Sequence, residues 1–421
     1  MIDYDLRTLP AAGDLTDDAR GWAHAVALGF GQAALSDEAL ERWWGYQCAD
    51  RFRLRSAWPT GPTRGLAPHT PVATFASFDQ TINTGNRHLE PANFITDVTV
   101  RTTHRRRGLL SRLMRTDLGE AADRGLALAS LTATEGSIYG RFGFGVSSLV
   151  RTVELHTGAR FGLRPEASGL ADLPVEIVDS ATAAPLLERT FAAYHAERRG
   201  SHGRMHWYGD YLTGLWNHEE EKPDRRVRVA VAFDAGGEPR GHVSYRFDGH
   251  GERLKVIDLV AADPAAELSL WRFLASVDLV DVVEYGHFDA ASPLPSALAD
   301  PRLLVTTKVR DFTWTRVLDV PRALGARGFD ADGEATFAVD DRLGFADGSW
   351  HVAVRDGVAE TTRVEDAAVR ITADALATLY AGLASARTLA GAGLITGDAA
   401  GVRALARLFA VDVPPACVTS F

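Results

Sequence analysis

The chain has 421 residues, 46% of them hydrophobic, and a formal net charge of −10 at neutral pH. This length predicts two or three domains, each large enough to bury its own core. The negative charge argues against nucleic acid as the main partner and favours a cationic ligand. No apolar run approaches the ~18 residues of a membrane span, and the acidic start Met1–Asp5 lacks an apolar leader. We therefore expect a cytoplasmic protein with no membrane partner, whose two cysteines, Cys48 and Cys417, stay reduced.

The first predicted unit, residues 1–156, begins with helices and continues into strands. Apolar spacing predicts helices at 16–28 and 37–46. Segments rich in β-branched and aromatic side chains predict strands at 72–78 and 95–100.

The most informative segment follows the second of these strands. A cationic turn, His104–Gly108, leads into a helix with apolar residues at helical spacing: Leu109, Leu110, Leu113, Met114 and Leu118. Gly108 lies where a side chain would obstruct a phosphate, and the arginines beside it are bidentate donors. With the free amides of a helix start, these residues suit a pyrophosphate. A solvated basic turn is the alternative interpretation of the arginines alone.

The second predicted unit, residues 157–308, begins with a connector rich in Gly and Pro at 159–174. A helix is predicted at 183–194. A hairpin follows, with strands at 227–233 and 241–247 around the turn Asp234–Glu238.

An internal repeat is predicted in this unit. Residues 254–287 have the same order of strand, turn, helix and strand as residues 94–131. In the second copy Asp263 replaces the arginines and Pro264 removes an amide donor, so this copy is predicted not to hold pyrophosphate. An unrelated α/β layer is the alternative.

The third predicted unit, residues 309–421, mixes strands and helices. Strands are predicted at 313–317, 335–339, 350–355 and 358–362, and helices at 321–326, 373–381 and 399–408. The predicted fold class is therefore α/β (α+β) along the whole chain.

The string His104–Leu110, taken with Thr134–Gly143, resembles the enhanced intracellular survival (Eis) family of GNAT-superfamily N-acetyltransferases. The GNAT acyl-CoA loop reads roughly Q/R-x-x-G-x-G/A, and Arg-Arg-Arg-Gly-Leu-Leu is a variant of it. The resemblance extends to Pro414–Cys417 before the terminal Phe421, so it spans the chain. The family commonly has Pro two residues before the motif histidine, whereas this chain has Thr102, which predicts a less rigid loop entry.

The resemblance implies tandem GNAT-like domains, the second one degenerate, and then a sterol-carrier-protein-like domain that supplies the terminal carboxylate. It also implies acetyl-CoA as co-substrate, no metal and a homohexamer. Likeness to the sterol-carrier fold does not show that a lipid binds. By resemblance, the acetyl-CoA contacts are Val98, Thr99, Val100, Arg106, Arg107, Gly108, Leu109, Leu110, Ser111, Thr134 and Glu135.

Acyl transfer to an amine needs an acid for the leaving thiolate, and the resemblance assigns this role to Tyr139. A thiol of pKa about 8.5 is well served by a phenol of pKa about 10. Without the resemblance, a tyrosine in such a string is more often a packed aromatic. His104 is interpreted as a structural turn residue.

The resemblance assigns the general base to the C-terminal carboxylate of Phe421. A chain end is ordinarily frayed and solvated. An α-carboxyl of pKa about 3.5 is also a poor base for an ammonium, unless burial raises its pKa or water relays the proton. The apolar tail Val413–Val418, however, predicts that this end of the chain is buried.

These residues and the resemblance together predict an acetyl-CoA-dependent N-acetyltransferase. Its predicted acceptor is a primary amine of a polycationic small molecule such as an aminoglycoside, with direct transfer in a ternary complex. One alternative is a lysine, peptide or polyamine acetyltransferase without aminoglycoside activity. Another is a non-catalytic CoA-binding scaffold.

Three further groups of residues carry weaker hypotheses. His202 and His206 are four residues apart, but Gly203 disfavours a shared helix face and nothing nearby completes a zinc site. Glu219–Glu221 is a solvated acidic loop or lines an entrance for a cation. Core packing is the default for three tryptophans, which by resemblance are also candidates for an acceptor pocket: Trp43, Trp44 and Trp58.

Overall fold

The computed structural model describes residues 3–61, 65, 67–158, 160–248 and 252–421, which form three β-sheets flanked by helices. Residue 159 of the predicted connector and the first two residues of the acidic start lie outside the described residues. No described helix is both long and apolar enough to cross a membrane.

The first part of the chain supplies most of the first sheet. Its elements are β1 (Tyr4–Pro10), α1 (Asp17–Phe30), α2 (Asp37–Ala49), β2 (Arg53–Pro59), β3 (Ala73–Gly85), β4 (His88–Val100), α3 (Leu109–Asp123), β5 (Leu128–Thr132), α4 (Gly136–Tyr139) and β6 (Gly145–Val146). The helices α1 and α2 start where the side chains of Thr16 and Ser36 accept backbone hydrogen bonds.

The strands β3 and β4 form a hairpin much longer than the predicted strands at 72–78 and 95–100. Its turn is formed by Asn86 and Arg87, both with positive φ, which suits the twist of a tight hairpin. Polar residues such as Asn83 and Thr84 interrupt the apolar pattern, yet both are buried against later parts of the chain. Tertiary contacts therefore lengthen these strands.

The middle of the chain supplies most of the second sheet. Its elements are β7 (Leu149–His156), α5 (Pro165–Leu170), β8 (Val175–Val178), α6 (Ser180–Glu197), α7 (Trp207–Thr213), β9 (Arg228–Phe233), β10 (Pro239–Asp248), β11 (Arg253–Ala261), α8 (Pro264–Ala275), β12 (Val282–Phe288), α9 (Leu294–Ala297), β13 (Leu304–Asp311) and β14 (Thr313–Val317). The predicted hairpin corresponds to the antiparallel pair β9 and β10. The predicted connector contains α5, for which Pro165 is a favourable first residue.

The two large sheets have the same layout. The first has the order β1-β2-β3-β4-β5-β14-β6 and the second, read from its other edge, β8-β9-β10-β11-β12-β7-β13. In each sheet one parallel pair, β4 with β5 or β11 with β12, is joined by a helix. The internal repeat is therefore confirmed.

The sixth strand of each sheet comes from the other half of the chain. The strand β14 lies between β5 and β6, and β7 lies between β12 and β13. This corrects the sequence prediction, which assigns residues 313–317 to the third unit and residues 149–156 to the first. The local pattern identifies a strand, but its neighbours in the sheet are decided by tertiary pairing.

The third sheet has the order β17-β16-β15-β18-β19. Its elements are α10 (Val320–Ala326), β15 (Gly333–Asp340), β16 (Gly348–Arg355), β17 (Val358–Val364), β18 (Arg370–Thr372), α11 (Ala373–Ala381), α12 (Ala386–Gly391), β19 (Ile395–Thr396) and α13 (Ala399–Leu408). Its interior holds the buried Arg327, whose guanidinium donates to the carbonyls of Tyr380 and Phe409. The chain then returns to the first two sheets.

Candidate active site

A cavity of about 610 Å³ opens where β4 leads into α3. Its wall includes residues 98–100, the turn and helix start at 104–111, and residues 134, 135, 138, 139 and 141. All the residues predicted to contact acetyl-CoA therefore lie in one wall, and Tyr139 lies in the same wall. The carboxyl end of α1 adds Gly29 and Phe30, which the sequence did not single out.

The cavity exists because two parallel strands part. Among the described residues the ladder between β4 and β5 ends at Ile95 and Leu131, although β4 continues to Val100. Just beyond Ile95, Asp97 has a φ of 52° and bends β4 away from its neighbour. Residues 98–100 thus present a strand edge to the cavity instead of to β5.

The start of α3 is open to this cavity. Gly108 precedes the helix with a φ of 76°, and a Cβ added there would meet nothing within 4 Å. The first helical bond within α3 joins the amide of Arg112 to the carbonyl of Gly108 at 3.0 Å, so the amides of residues 109–111 have no partner in the helix. Among the described residues no side chain caps this end. This geometry fits a pyrophosphate group.

The turn before the helix carries exposed cationic side chains. Arg106 has a φ of 60°, and Arg107 reaches the carbonyl of Thr103 at 3.4 Å. The amide of His104 donates to the carbonyl of Arg101 at 2.7 Å, in keeping with a structural turn residue. Burial and nearby arginines lower the pKa of His104, so its ring stays neutral.

The equivalent helix start in the second sheet is closed. The side chain of Asp263 accepts from the amide of Ala266 at 2.9 Å and from Arg240 at 2.6 Å. The carboxylate of the chain itself thus occupies the place where an anion would bind.

Tyr139 ends the short helix α4 and is buried against Phe144, with a ring-centroid distance of 6.3 Å. Burial raises the pKa of its phenol to about 12, and the carboxylate of Glu135 adds to the rise. The phenol therefore stays protonated at every working pH. It is also a weaker acid than the free phenol of pKa about 10 considered from the sequence.

The end of the chain lies against the strand that leads to Tyr139. The hydroxyl of Thr132 donates to an oxygen of the terminal carboxylate of Phe421 at 2.8 Å. Thr132 lies two residues before Thr134 of the cavity wall. The Phe421 ring packs on Phe94 and Phe78 at centroid distances of 4.8 and 6.0 Å. Phe421 is not among the described residues that line the cavity.

The two histidines considered for metal binding lie in different surroundings. His202 is buried and contacts Ser130 and Cys417, whereas the exposed His206 bonds Asp50 at 2.7 Å. Among the described residues no group of three or more His, Cys, Asp or Glu side chains is arranged around a metal ion.

The three tryptophans and the acidic loop lie in different surroundings. Trp44 is buried and donates to the carbonyl of Gly13. The ring of Trp43 stacks on that of Trp22 at a centroid distance of 6.0 Å. Trp58, at the end of β2, lies under Arg7. The acidic loop contacts the α1–α2 connection, where the carboxylate of Glu221 accepts from the amide of Ser36 at 3.0 Å.

Family models match three consecutive stretches of the chain. An acetyltransferase (GNAT) domain matches residues 16–147, a second acetyltransferase (GNAT) domain matches residues 200–317, and a sterol carrier protein domain matches residues 320–418.

Sequence relatives cover most of the chain. An uncharacterized N-acetyltransferase of Streptomyces avermitilis is 36% identical over 418 residues, which are 96% of this chain and 95% of the relative. The N-acetyltransferase Eis of Mycobacterium bovis (strain BCG / Pasteur 1173P2) is 31% identical over 356 residues, which are 83% of this chain and 86% of that protein.

Solved structures share the whole fold. Eis1 from Mycobacterium abscessus has a TM-score of 0.80 at 24% identity, covering 99% of this chain and 100% of that one. A GCN5-related N-acetyltransferase from Anabaena variabilis has a TM-score of 0.81 at 17% identity, with the same coverage.

Proposed function

Because the chain belongs to the Eis family of GNAT N-acetyltransferases, we propose that it acetylates primary amines of polycationic small molecules, such as aminoglycosides, by direct transfer in a ternary complex. It is an N-acetyltransferase with two GNAT domains followed by a sterol-carrier-protein domain. The observation that carries the proposal is a cavity that joins an uncapped helix start, an open strand edge and a buried phenol.

The proposed acetyl-CoA site follows the shape of that cavity. The amides of residues 109–111 and the side chains of Arg106 and Arg107 would hold the pyrophosphate. The open edge of residues 98–100 would bind the amide groups of the pantetheine arm, and Thr134 and Glu135 would flank the reacting end. When bound, acetyl-CoA supplies an activated acyl group and a thiolate leaving group.

Tyr139 is the proposed general acid. Its raised pKa keeps the proton on the phenol until a stronger base appears beside it. Desolvation of a thiolate beside Tyr139 raises the pKa of its thiol as well, toward that of the phenol. The phenol then donates its proton to the sulfur.

The carboxylate of Phe421 is the proposed general base. An α-carboxyl of pKa about 3.5 cannot deprotonate a free ammonium of pKa about 10 efficiently. The reacting nitrogen first loses one proton to solvent, because an ammonium has no lone pair with which to attack. The carboxylate can then take the second proton, which becomes acidic as the neutral amine bonds to the acyl carbon. The contact between Phe421 and Thr132 supports this role, because Thr132 lies two residues from the cavity wall.

A polycationic acceptor is supported by the formal net charge of −10, because a negatively charged protein attracts molecules with several positive charges. A cytoplasmic location and a homohexamer complete the proposal, and light scattering of the purified protein tests the assembly.

Thiol release from acetyl-CoA tests the proposed function. Protein with a native C-terminus is assayed with aminoglycosides, polyamines and lysine peptides. Turnover with aminoglycosides supports the proposal, and turnover only with peptides or polyamines rejects its acceptor class. Binding of acetyl-CoA without turnover on any amine would favour a non-catalytic scaffold.

A second assay addresses the base. Adding one glycine after Phe421 moves the terminal carboxylate away from its contact with Thr132. We therefore expect turnover to be lost while acetyl-CoA still binds. An extended protein with full activity would reject the carboxylate as base.

A further inference from the structure

The last residues of the chain lie in a groove between the first two sheets. Residues 415–418 are buried, and the amide of Ala416 donates to the carbonyl of Arg199 at 3.0 Å. Gly200 has a φ of 82°, and a Cβ there would lie 2.7 Å from the Cβ of Pro415. The groove therefore requires glycine at this position so that the tail can pass.

His202 lies at the meeting point of three parts of the chain. Its Nε2 is 3.0 Å from Ser130 Oγ on β5, and its Nδ1 is 3.0 Å from Cys417 Sγ in the tail. Its carbonyl oxygen accepts from the hydroxyl of Thr419 at 2.9 Å. Its ring also packs near Phe421, at a centroid distance of 5.9 Å.

The partners of His202 assign its tautomer. Ser130 gives its hydroxyl proton to the carbonyl of Trp314 at 3.1 Å, so its oxygen must accept from His202 Nε2. The Nδ1 atom is then an acceptor, and the thiol of Cys417 lies 3.0 Å from it and 3.4 Å from a second acceptor, the carbonyl of Thr419. Burial lowers the pKa of His202 to about 3 and raises that of Cys417 to about 12, so both groups stay neutral.

The same face of β5 holds the tail at two points. Ser130 and Thr132 are two residues apart in the strand, so their side chains lie on one face. Ser130 holds His202, and through it Cys417, while Thr132 holds Phe421 directly. Tyr208 adds a third contact, because its hydroxyl accepts from the amide of Ser420 at 2.7 Å.

We propose that His202 is a positioning residue for the general base: it links β5 to Cys417 and so fixes the terminal carboxylate beside the cavity. This inference rests on the proposed function, because it assumes that the carboxylate takes part in acetyl transfer. His202 acts through the tail and touches no reacting atom.

Substitution of His202 by alanine tests the inference with two measurements. Loss of the link lets the tail shift, so we expect kcat to fall about tenfold to a hundredfold while the KM for acetyl-CoA stays unchanged. Carboxypeptidase A should also release Phe421 from this variant faster than from the wild type. His206→Ala removes an exposed histidine of the same segment and should change neither result.

The two measurements separate the possible failures. A fall in kcat with a fully protected tail would overturn the positioning role. So would an unchanged kcat together with an unchanged rate of Phe421 release. A released tail with unchanged kcat would overturn the inference and the carboxylate base together. Absence of acetyl transfer by the wild-type protein would instead reject the proposed function itself.

Two substitutions of Cys417 test the same link and leave the histidine ring in place. Cys417→Ala removes the thiol that contacts Nδ1 of His202 and should lower kcat, as His202→Ala does. Cys417→Ser supplies a hydroxyl donor at the same position, so we expect it to restore turnover and tail protection. Equal activity of the alanine and serine variants would contradict the proposed link.

Discussion

At the residue scale, Asp97 combines a backbone bend with an electrostatic cost. Its positive φ ends the pairing of β4 with β5, and burial raises the pKa of its carboxyl to about 6. Asparagine has nearly the same shape and tolerates positive φ equally well. The backbone requirement and the charge can therefore be separated by one substitution.

We expect Asp97→Asn to stabilise the protein at pH 7 by about 1 to 2 kcal/mol. The folded state holds the proton more tightly than the unfolded state, whose carboxyl has a pKa of about 3.9. The contribution of Asp97 to the stability of the wild type is therefore most favourable below pH 4 and falls as the pH rises through about 6. Urea unfolding between pH 3.5 and 8 measures the difference, and a constant difference across that range would contradict this explanation.

The second residue-scale prediction concerns Tyr139. Removing its hydroxyl in Tyr139→Phe leaves the packing against Phe144 in place. If the phenol protonates the leaving thiolate, kcat should fall by about 10² or more. The Kd of acetyl-CoA, measured by calorimetry, should stay unchanged. Wild-type turnover by the phenylalanine variant would remove Tyr139 from the mechanism.

At the element scale, α3 shows how two glycines of one helix differ. Gly108 before the helix has positive φ and faces the cavity, whereas Gly119 lies within the helix with open space around it. Alanine is strained at the first position and favoured at the second. The two glycines thus form a matched pair.

We expect Gly108→Ala to weaken acetyl-CoA binding at least tenfold and to destabilise the protein by about 1 kcal/mol. The added methyl group would occupy the space next to the free amides. Gly119→Ala should stabilise the protein by about 0.5 to 1 kcal/mol and leave the affinity unchanged. Calorimetry and urea unfolding measure both effects, and unchanged affinity in Gly108→Ala would contradict the proposed pyrophosphate site.

At the scale of the whole molecule, the first two sheets depend on each other. Each contains a strand from the other half of the chain, β14 or β7, and the third part packs against β14. The buried Arg316 of β14 also pairs with Asp341 of the third part. Three sequence units are thus tied together by strand exchange and a buried ion pair.

This exchange predicts how fragments of the protein behave. A fragment of residues 1–156 lacks β14 and keeps β7 without its sheet, so we expect no cooperative unfolding transition. A fragment of residues 1–318 contains both complete sheets and should unfold cooperatively. Circular dichroism during urea titration measures both. A cooperative transition in the shorter fragment would show that the exchanged strand is dispensable.

The sequence by itself determined the local elements and the proposed anion site. Local sequence patterns predict the turn at residues 104–108, the helix after it and the internal repeat, because spacing and turn chemistry act over a few positions. Tyr139 and Phe421 entered through the family resemblance, and their catalytic roles stay predictions.

Only the tertiary structure decided which strands share a sheet and where the tail lies. Residues 313–317 have a strand pattern that fits any sheet, and their place beside β5 depends on partners more than 180 residues away. The role of His202 was equally hidden, because a buried histidine between β5 and Cys417 has no local signature. Long-range pairing and burial bring such residues together, and both depend on the whole folded chain.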